Sequence, residues 1–284
     1  MTRSLPGRAL LFASLLLLAG PGAADVEERR TLEATFELAR EGRLVVDNVW
    51  GSIRLTGTDG RVVRVEAVET IRADDDRALE RARREVELLM EADGRAVDLY
   101  VDGPFRDRHR RGWARRYRDP GYEVSYDFDI AVPRDATIEV ATVNDGEITV
   151  LGVHGGFDVS NVNGGIELRD LRGSGRVRTV NGPIEARFSR SPRSACGFET
   201  VNGDVQVYFP ADLSADLELE SRFGELWSEF EFEPLPVPAA TTRTEGGTTV
   251  IELGNPVVRV ARGGPRLSFE TLNGDVLIRR HDER

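Results

Sequence analysis

Apolar and polar residues alternate along most of this chain, in short runs broken by glycine, proline or asparagine. Leu44–Val46, Val62–Val68 and Val97–Val101 read as half-buried strands. So does Tyr122–Val132, where Tyr122, Val124, Tyr126, Phe128 and Ile130 fall on one face and Pro133 stops the run. One stretch follows a longer period. Ala78, Leu79, Ala82, Val86, Leu89 and Met90 share one helical face, Asp74-Asp75-Asp76 suits a helix start, and Gly94 suits a stop. A helix is predicted over about 74–92.

Past Pro133 the pattern becomes a repeat: apolar, Asn, Gly, any, apolar, any, apolar. Its copies start Val162-Asn163-Gly164, Val180-Asn181-Gly182, Val201-Asn202-Gly203 and Leu272-Asn273-Gly274. Val143-Asn144-Asp145-Gly146 is a copy with one extra residue, and Val49-Trp50-Gly51 and Arg222-Phe223-Gly224 are degenerate ones. Asn-Gly makes a sharp corner because both residues tolerate positive φ. After each corner Ile148, Ile166, Ile184, Val205, Leu226 and Val276 point inward, and Thr149, Glu167, Glu185 and Gln206 point outward.

The glycines at 146, 164, 182, 203 and 224 are spaced 18, 18, 21 and 21 residues apart. Near-constant spacing favours rungs of a right-handed β-solenoid-like array, with equivalent residues stacked about 4.8 Å apart. The alternative is an antiparallel β-meander or sandwich with each Asn-Gly as a hairpin turn. The fold class is all-β in both cases. The 50 residues between Gly224 and Gly274 include Glu233-Pro-Leu-Pro-Val-Pro238 and read as an excursion.

The first residues have a different character. Arg3 and Arg8 precede an apolar run from Ala9 to Ala19, and Gly22-Ala23-Ala24 supplies small residues before Asp25. This order is that of an export signal, and the run is too short for a span of about 20 residues. Residues 1–24 are therefore expected to be removed, 25–133 to form a β-rich cap with the helix, and 134–280 to form the repeat array. The mature protein is expected in the periplasm, at the outer surface or outside the cell, without a transmembrane span.

Charge narrows the function. The formal net charge is −11, and loss of Arg3 and Arg8 takes it to −11 − 2 = −13, which disfavours a nucleic-acid partner. A single cysteine, Cys196, excludes an internal disulfide framework, and three histidines (His109, His154, His281) make a multi-histidine metal centre improbable. No nucleotide loop, zinc-protease helix or Gly-x-Ser-x-Gly elbow is present. No cofactor is expected. A Ser–His–acid set is conceivable only around His154 or His109. The acids after the repeat glycines, Glu147, Asp204, Glu225 and Asp275, could form an outward row suited to calcium, although outward positions are commonly polar.

The chemical outlier lies in the loop 103–121. Arg106–Arg118 holds seven arginines with His109, Trp113 and Tyr117. Arg108, Arg110, Arg111, Trp113, Arg115, Arg116 and Tyr117 are the candidate partner-binding residues, since arginine interleaved with aromatics can grip an anionic polymer. A solvated loop attracted to the protein's own acidic body is the plainer reading. Asn144, Gly146, Asn163, Gly164, Asn181, Gly182, Asn202, Gly203, Gly224, Asn273 and Gly274 are read as structural turns.

The Asn-Gly phrases, the strand ending Asp127–Pro133 and the segment Ala211–Leu219 resemble the bacterial putative-adhesin family of repeat-bearing, β-solenoid-like domains. The resemblance covers roughly Thr31–Arg280. It implies an extracytoplasmic or envelope-associated scaffold without an established catalytic site. The arginine-rich loop departs from the family pattern. The expectation is an exported, non-enzymatic binding or scaffold protein with an envelope polysaccharide or envelope protein as partner. The competing classes are a carbohydrate-active enzyme on the same scaffold and an envelope sensor or assembly partner.

Overall fold

The computed structural model describes residues 12–18, 26–106, 120–236, 241–245, 248–252 and 256–281. The N-terminal elements are β1 (Phe12–Leu18), β2 (Val26–Glu37), β3 (Arg43–Asp47), β4 (Ile53–Thr58), β5 (Val62–Ala73), α1 (Asp76–Glu85), β6 (Glu87–Ala92), β7 (Ala96–Asp102) and β8 (Tyr122–Pro133). The repeat region supplies β9 (Thr137–Ala141), β10 (Ile148–Leu151), β11 (Phe157–Ser160), β12 (Ile166–Leu171), β13 (Gly175–Arg178), β14 (Ile184–Phe188), β15 (Cys196–Asn202), β16 (Val205–Pro210), β17 (Ala215–Ser221) and β18 (Leu226–Ser228). The excursion holds β19 (Phe232–Pro234), β20 (Thr241–Glu245), β21 (Thr248–Glu252) and β22 (Val257–Val260), and β23 (Arg266–Asn273) and β24 (Val276–His281) end the chain.

The chain crosses repeatedly between two sheets. One carries β4, β10, β12, β14, β16, β24 and β18 as neighbours, and the other β3, β9, β11, β13, β15, β23 and β17. Within each of these runs every pair is parallel. The register joins equivalent residues, Ile53 to Ile148 to Ile166 to Ile184 to Val205 to Val276. An Asn-Gly corner thus joins two strands of different sheets, and parallel pairing follows because each turn of the coil repeats the last. The all-β expectation holds, and the corners join strands of the two facing sheets with equivalent residues in parallel register.

The core lies between the sheets. Ile148, Ile166, Ile184, Val205 and Val276 are at most 2% exposed, and each such burial stabilises by roughly 1.5–3 kcal/mol. In the later coils Phe188 stacks on Phe209 at 5.1 Å and Phe198 on Phe269 at 5.3 Å between centroids. Leu226 departs from the expectation. It occupies the same inward position yet is 45% exposed, because β18 is the last strand and no coil covers it.

The stacking order also differs from the sequence order. The β23/β24 coil, read from sequence as the closing copy, lies between β15/β16 and β17/β18. Equal glycine spacing from Gly203 to Gly224 therefore does not mean adjacency. The long strands β15, β16, β23 and β24 ladder together, and the three-residue β18 is left at the edge, where a short strand offers little template for mispairing.

Two contacts set the distance between coils. A Cβ built on Gly203 would lie 2.2 Å from the Gly182 carbonyl oxygen, and one on Gly182 would lie 2.4 Å from that of Gly164. Glycine is required here by close approach of the neighbouring coil, beyond any preference in φ. The carbonyl so approached receives a hydroxyl from a buried residue three positions before the next glycine. Thr179 Oγ1 donates to Gly164 O (2.9 Å), Thr200 Oγ1 to Gly182 O (3.0 Å) and Thr271 Oγ1 to Gly203 O (2.9 Å). Ser221 serves Gly274 in the end coil, and Asn161 Nδ2 serves Gly146. The copy with an extra residue absorbs it at Asp145, which takes φ 53°.

The antiparallel strands β2, β5 and β8 extend the first sheet beyond the stack, and β1 pairs with β2 from Phe12↔Glu33 to Leu18↔Glu27. Helix α1 packs Ala78, Leu79 and Ala82 inward, capped by the Asp75 carboxylate, which accepts from Ala78 N at 2.7 Å. It ends at Glu85 and not near 92. Val86 is extended, and Glu87–Ala92 is strand β6, antiparallel to β7 with Leu88, Met90 and Ala92 half-buried. The residues 86–92 satisfy a period of two as well as a helical one, and the neighbouring strand supplies the ladder that decides. Between β2, β5 and β8, buried Glu69 pairs with Arg30 Nε at 2.8 Å and accepts from Tyr126 Oη. Burial and the Glu69 carboxylate push the Tyr126 hydroxyl up, so it stays a donor.

Thr200→Val is expected to cost about 1 kcal/mol by removing the donor to the Gly182 carbonyl. Gly203→Ala is expected to cost roughly 2 kcal/mol or more, because its methyl meets backbone that cannot move alone. Urea denaturation of the two single variants checks the order; equal stability of Gly203→Ala and the parent would refute the spacing argument.

Candidate functional site

The corners that join the two sheets line up along one edge of the stack. Asn163 Nδ2 donates to Asn144 Oδ1 (2.9 Å), Asn181 to Asn163 (2.8 Å), Asn202 to Asn181 (2.8 Å) and Asn273 to Asn202 (2.7 Å). The result is an amide ladder over five coils, with its side chains on the exposed side of the corner. Positive φ at Gly164, Gly182, Gly203 and Gly274 turns the chain directly after each asparagine. The predicted turn residues are therefore brought together. The sequence reading assigned them turn geometry and missed the side-chain ladder. The signal was the asparagine itself, since a turn alone would accept Asp or Gly.

The acids that follow the glycines are partly spent. Asp204 Oδ1 accepts from Asp275 N (2.8 Å) and Asp275 Oδ1 from Glu225 N (2.8 Å). At the first coil Asp127 Oδ1 accepts from Ser52 N and Oγ at 2.9 and 2.7 Å. These carboxylates fasten one coil to the next. Among the described residues no group of three or more His, Cys, Asp or Glu side chains is arranged to hold a metal ion. Beside the first coils a trough of about 600 Å³ is lined by Arg54, Glu66, Asp127, Asp129, Asp145 and Glu147, among others, and reaches Asn163 of the ladder. Its carboxylates outnumber its single arginine, so it repels anions.

His154 stands on the corner after β10. Its Nε2 is 3.4 Å from Asp170 Oδ2, and Ser189 Oγ donates to Asp170 Oδ1 at 2.5 Å. The acid lies between the histidine and the serine. A hydrolytic triad needs the histidine between them, because the imidazole must take the serine proton. Burial alone would raise the Asp170 carboxyl, but hydrogen bonds from Ser189 and His154 hold it below the ordinary range. It is thus an ionised clasp between three coils. His281 Nε2 lies 2.6 Å from the Phe188 carbonyl, a distance that requires it to donate. Burial pushes the Cys196 thiol up, which keeps it unreactive.

The predicted partner-binding residues Arg108, Arg110, Arg111, Trp113, Arg115, Arg116 and Tyr117, with His109, lie outside the described residues. The segment's two ends are anchored. Arg106 makes a bidentate pair with Asp47 (2.9 and 3.0 Å) and lies 4.4 Å over the Tyr100 ring, while Phe105 meets Trp50 edge-on at 5.0 Å. At the other end Arg81 Nη2 donates to Pro120 O (2.7 Å) and Asp74 N to Gly121 O (2.9 Å). Both anchors belong to the cap and first coil.

On the opposite sheet Glu199, Glu270 and Glu220 are direct neighbours on β15, β23 and β17. Burial, then Glu220, Glu199 and Glu218, raise the Glu270 carboxyl above its ordinary value.

No family model matches the chain, and neither does a curated protein. Solved structures do. A putative cell adhesion protein from Clostridium sporogenes is 11% identical over 88% of this chain and 99% of its own, with a TM-score of 0.44. A putative adhesin from Bacteroides fragilis is 9% identical over 88% of this chain and 97% of its own, with a TM-score of 0.35. A putative lipid binding protein from Parabacteroides distasonis is 9% identical over 89% of this chain and 95% of its own, with a TM-score of 0.21.

The Glu270 arrangement has a consequence for pH. The folded protein binds this proton more readily than the unfolded chain, so its stability falls as pH rises from the unfolded carboxylate range through the raised folded value. Glu270→Gln is expected to stabilise at neutral pH by about 0.5 kcal/mol, a small gain because the group is largely exposed. The gain disappears below pH of about 4, where both states are protonated. Chemical denaturation at the two pH values tests this, and a Glu270→Gln protein that is less stable at neutral pH contradicts it.

Proposed function

We propose that the protein is an exported, non-enzymatic binding or scaffold protein of the bacterial cell envelope, which engages an envelope polysaccharide or an envelope protein. The observation that carries the reading is repetition of surface chemistry in register. The same outward positions recur on successive coils, as in Thr149, Glu167, Glu185 and Gln206 along one sheet and in the asparagine ladder along the edge. Such a surface suits a partner that is itself extended and repetitive, and its affinity comes from many weak contacts. A reaction centre instead needs a few groups converging on one point. The basic N-terminus, the apolar run and the small residues at 22–24 support export. The clasped order Ser189–Asp170–His154 supports a structural role for the one histidine–acid pair at a corner.

The test is a panel of neutral and anionic envelope polysaccharides and solubilised envelope proteins, with retained protein and released sugar recorded together. Saturable retention without sugar release is expected. Sugar release would replace this reading with a carbohydrate-active enzyme, and retention by nothing on the panel would reject it.

A further inference from the structure

The asparagine ladder does not use up its own hydrogen-bonding capacity. A carboxamide has two N–H donors and an oxygen that accepts twice. Each interior amide, at Asn163, Asn181 and Asn202, gives one donor and one acceptor to its neighbours. One of each remains, on side chains that are exposed. The stack therefore presents a row of donor–acceptor pairs repeating at the strand spacing of about 4.8 Å.

The flanks of the row are as regular. Val143, Val162, Val180, Val201 and Leu272 run beside it as the residues before each asparagine, and none is buried; Val180 is 38% exposed. On the other side Gly165 and Pro183 keep the middle of the edge flat. In the end coil Phe223 replaces the asparagine and is 71% exposed. Amide, valine, glycine, proline and phenylalanine carry no charge, and the uncharged stretch is centred on Asn163 and Asn181. Acids stand towards the two ends, Asp145 and Glu147 at one and Asp204, Asp275 and Glu225 at the other, where Arg222 also takes the valine position.

We propose that this edge is a linear binding site for an uncharged, hydroxyl-rich polysaccharide that lies along the stack, with one sugar over each coil. The proposal rests on the binding function above and names its ligand class. Neighbouring hydroxyls of a pyranose both donate and accept, which matches the free pair on each amide. The C–H face of the ring packs on the valine row and on Phe223. An extended pyranose is comparable in length with the coil repeat, so contact is renewed at each step. An anionic chain meets the acids at both ends and a protein of net charge −11.

The probes are soluble oligosaccharides of cellulose, laminarin and chitin type, two to eight sugars long, with polygalacturonate as the anionic control. The full chain is ¹⁵N-labelled and its asparagine side-chain amide signals are followed. The signals of Asn163, Asn181 and Asn202 are expected to shift saturably with at least one neutral series. Affinity should rise with length and level off once the ladder is spanned. Phe223→Ser, at an exposed position that leaves the core intact, is expected to weaken binding about tenfold. Asn181→Asp removes the free donor and adds charge, and it should abolish the shift at Asn163 and Asn202 while thermal melting reports whether the fold survives. Binding of polygalacturonate or an envelope protein with the ladder signals unmoved would overturn the proposal and leave the broader function standing. Neutral sugar bound with those signals unmoved and Phe223→Ser without effect would place the site elsewhere, and overturn it too. Absence of every ligand would remove both readings.

Discussion

The architecture is arranged around the close approach of glycines on successive coils. A carbonyl oxygen of one coil sits where a side chain of the next would begin, at Gly182 beneath Gly203 and at Gly203 beneath Gly274. Only a hydrogen atom fits there. That proximity lets a threonine hydroxyl reach the same oxygen and lets asparagines on the outside of the corner touch one another. Hydroxyl, amide and methyl rows follow from one contact repeated, and each later coil inherits the register of the one before. The isoleucines and valines of the core then stack on their equivalents without further instruction.

The end coils show what the constraint supplies by showing where it lapses. In the last one Phe223 stands for asparagine and Leu226 loses its cover. In the first one Trp50 stands for asparagine, and the buried Asn48 donates to the carbonyls of Trp50, Gly51 and Tyr126, an amide at the position where Thr179, Thr200 and Thr271 use a hydroxyl. There the antiparallel strands and α1 take over the work of covering. The acids inside that cap are held by specific partners, Glu69 by Arg30 and Tyr126 and Glu28 by Arg83, as groups removed from water require.

Much of this was written in the chain. Alternation marks the strands in the sequence, and the spacing of the glycines implies the coils. The inward residues of the repeat were named correctly except at Leu226, whose exposure depends on being last. Three things were hidden for physical reasons. The residues 86–92 carry two periods at once, and only the presence of β7 selects the strand. The threonines three positions before Gly182, Gly203 and Gly274 look like ordinary polar residues in the sequence, because their partners belong to another coil. The order of the coils could not be read at all, since equal spacing describes segments and says nothing of which segment lies beside which. For the site, the corner residues were legible as turns, while the ladder that joins them exists only between coils.

The position of β23 and β24 bears on how the molecule is assembled. Seven coils form the stack, and the sixth in space is the last in sequence. As the chain emerges from its N-terminus, five coils can dock in order, but Ala215–Ser228 has no seat until residues 266–281 arrive. Everything from β17 to β22 must wait as a loosely held loop of more than forty residues, and closing it carries the entropy of a long contact. Synthesis from the N-terminus therefore does not complete this fold coil by coil. The final strand is a keystone set from the side, and a chain shortened by its last twenty residues would lose two coils where its length suggests one.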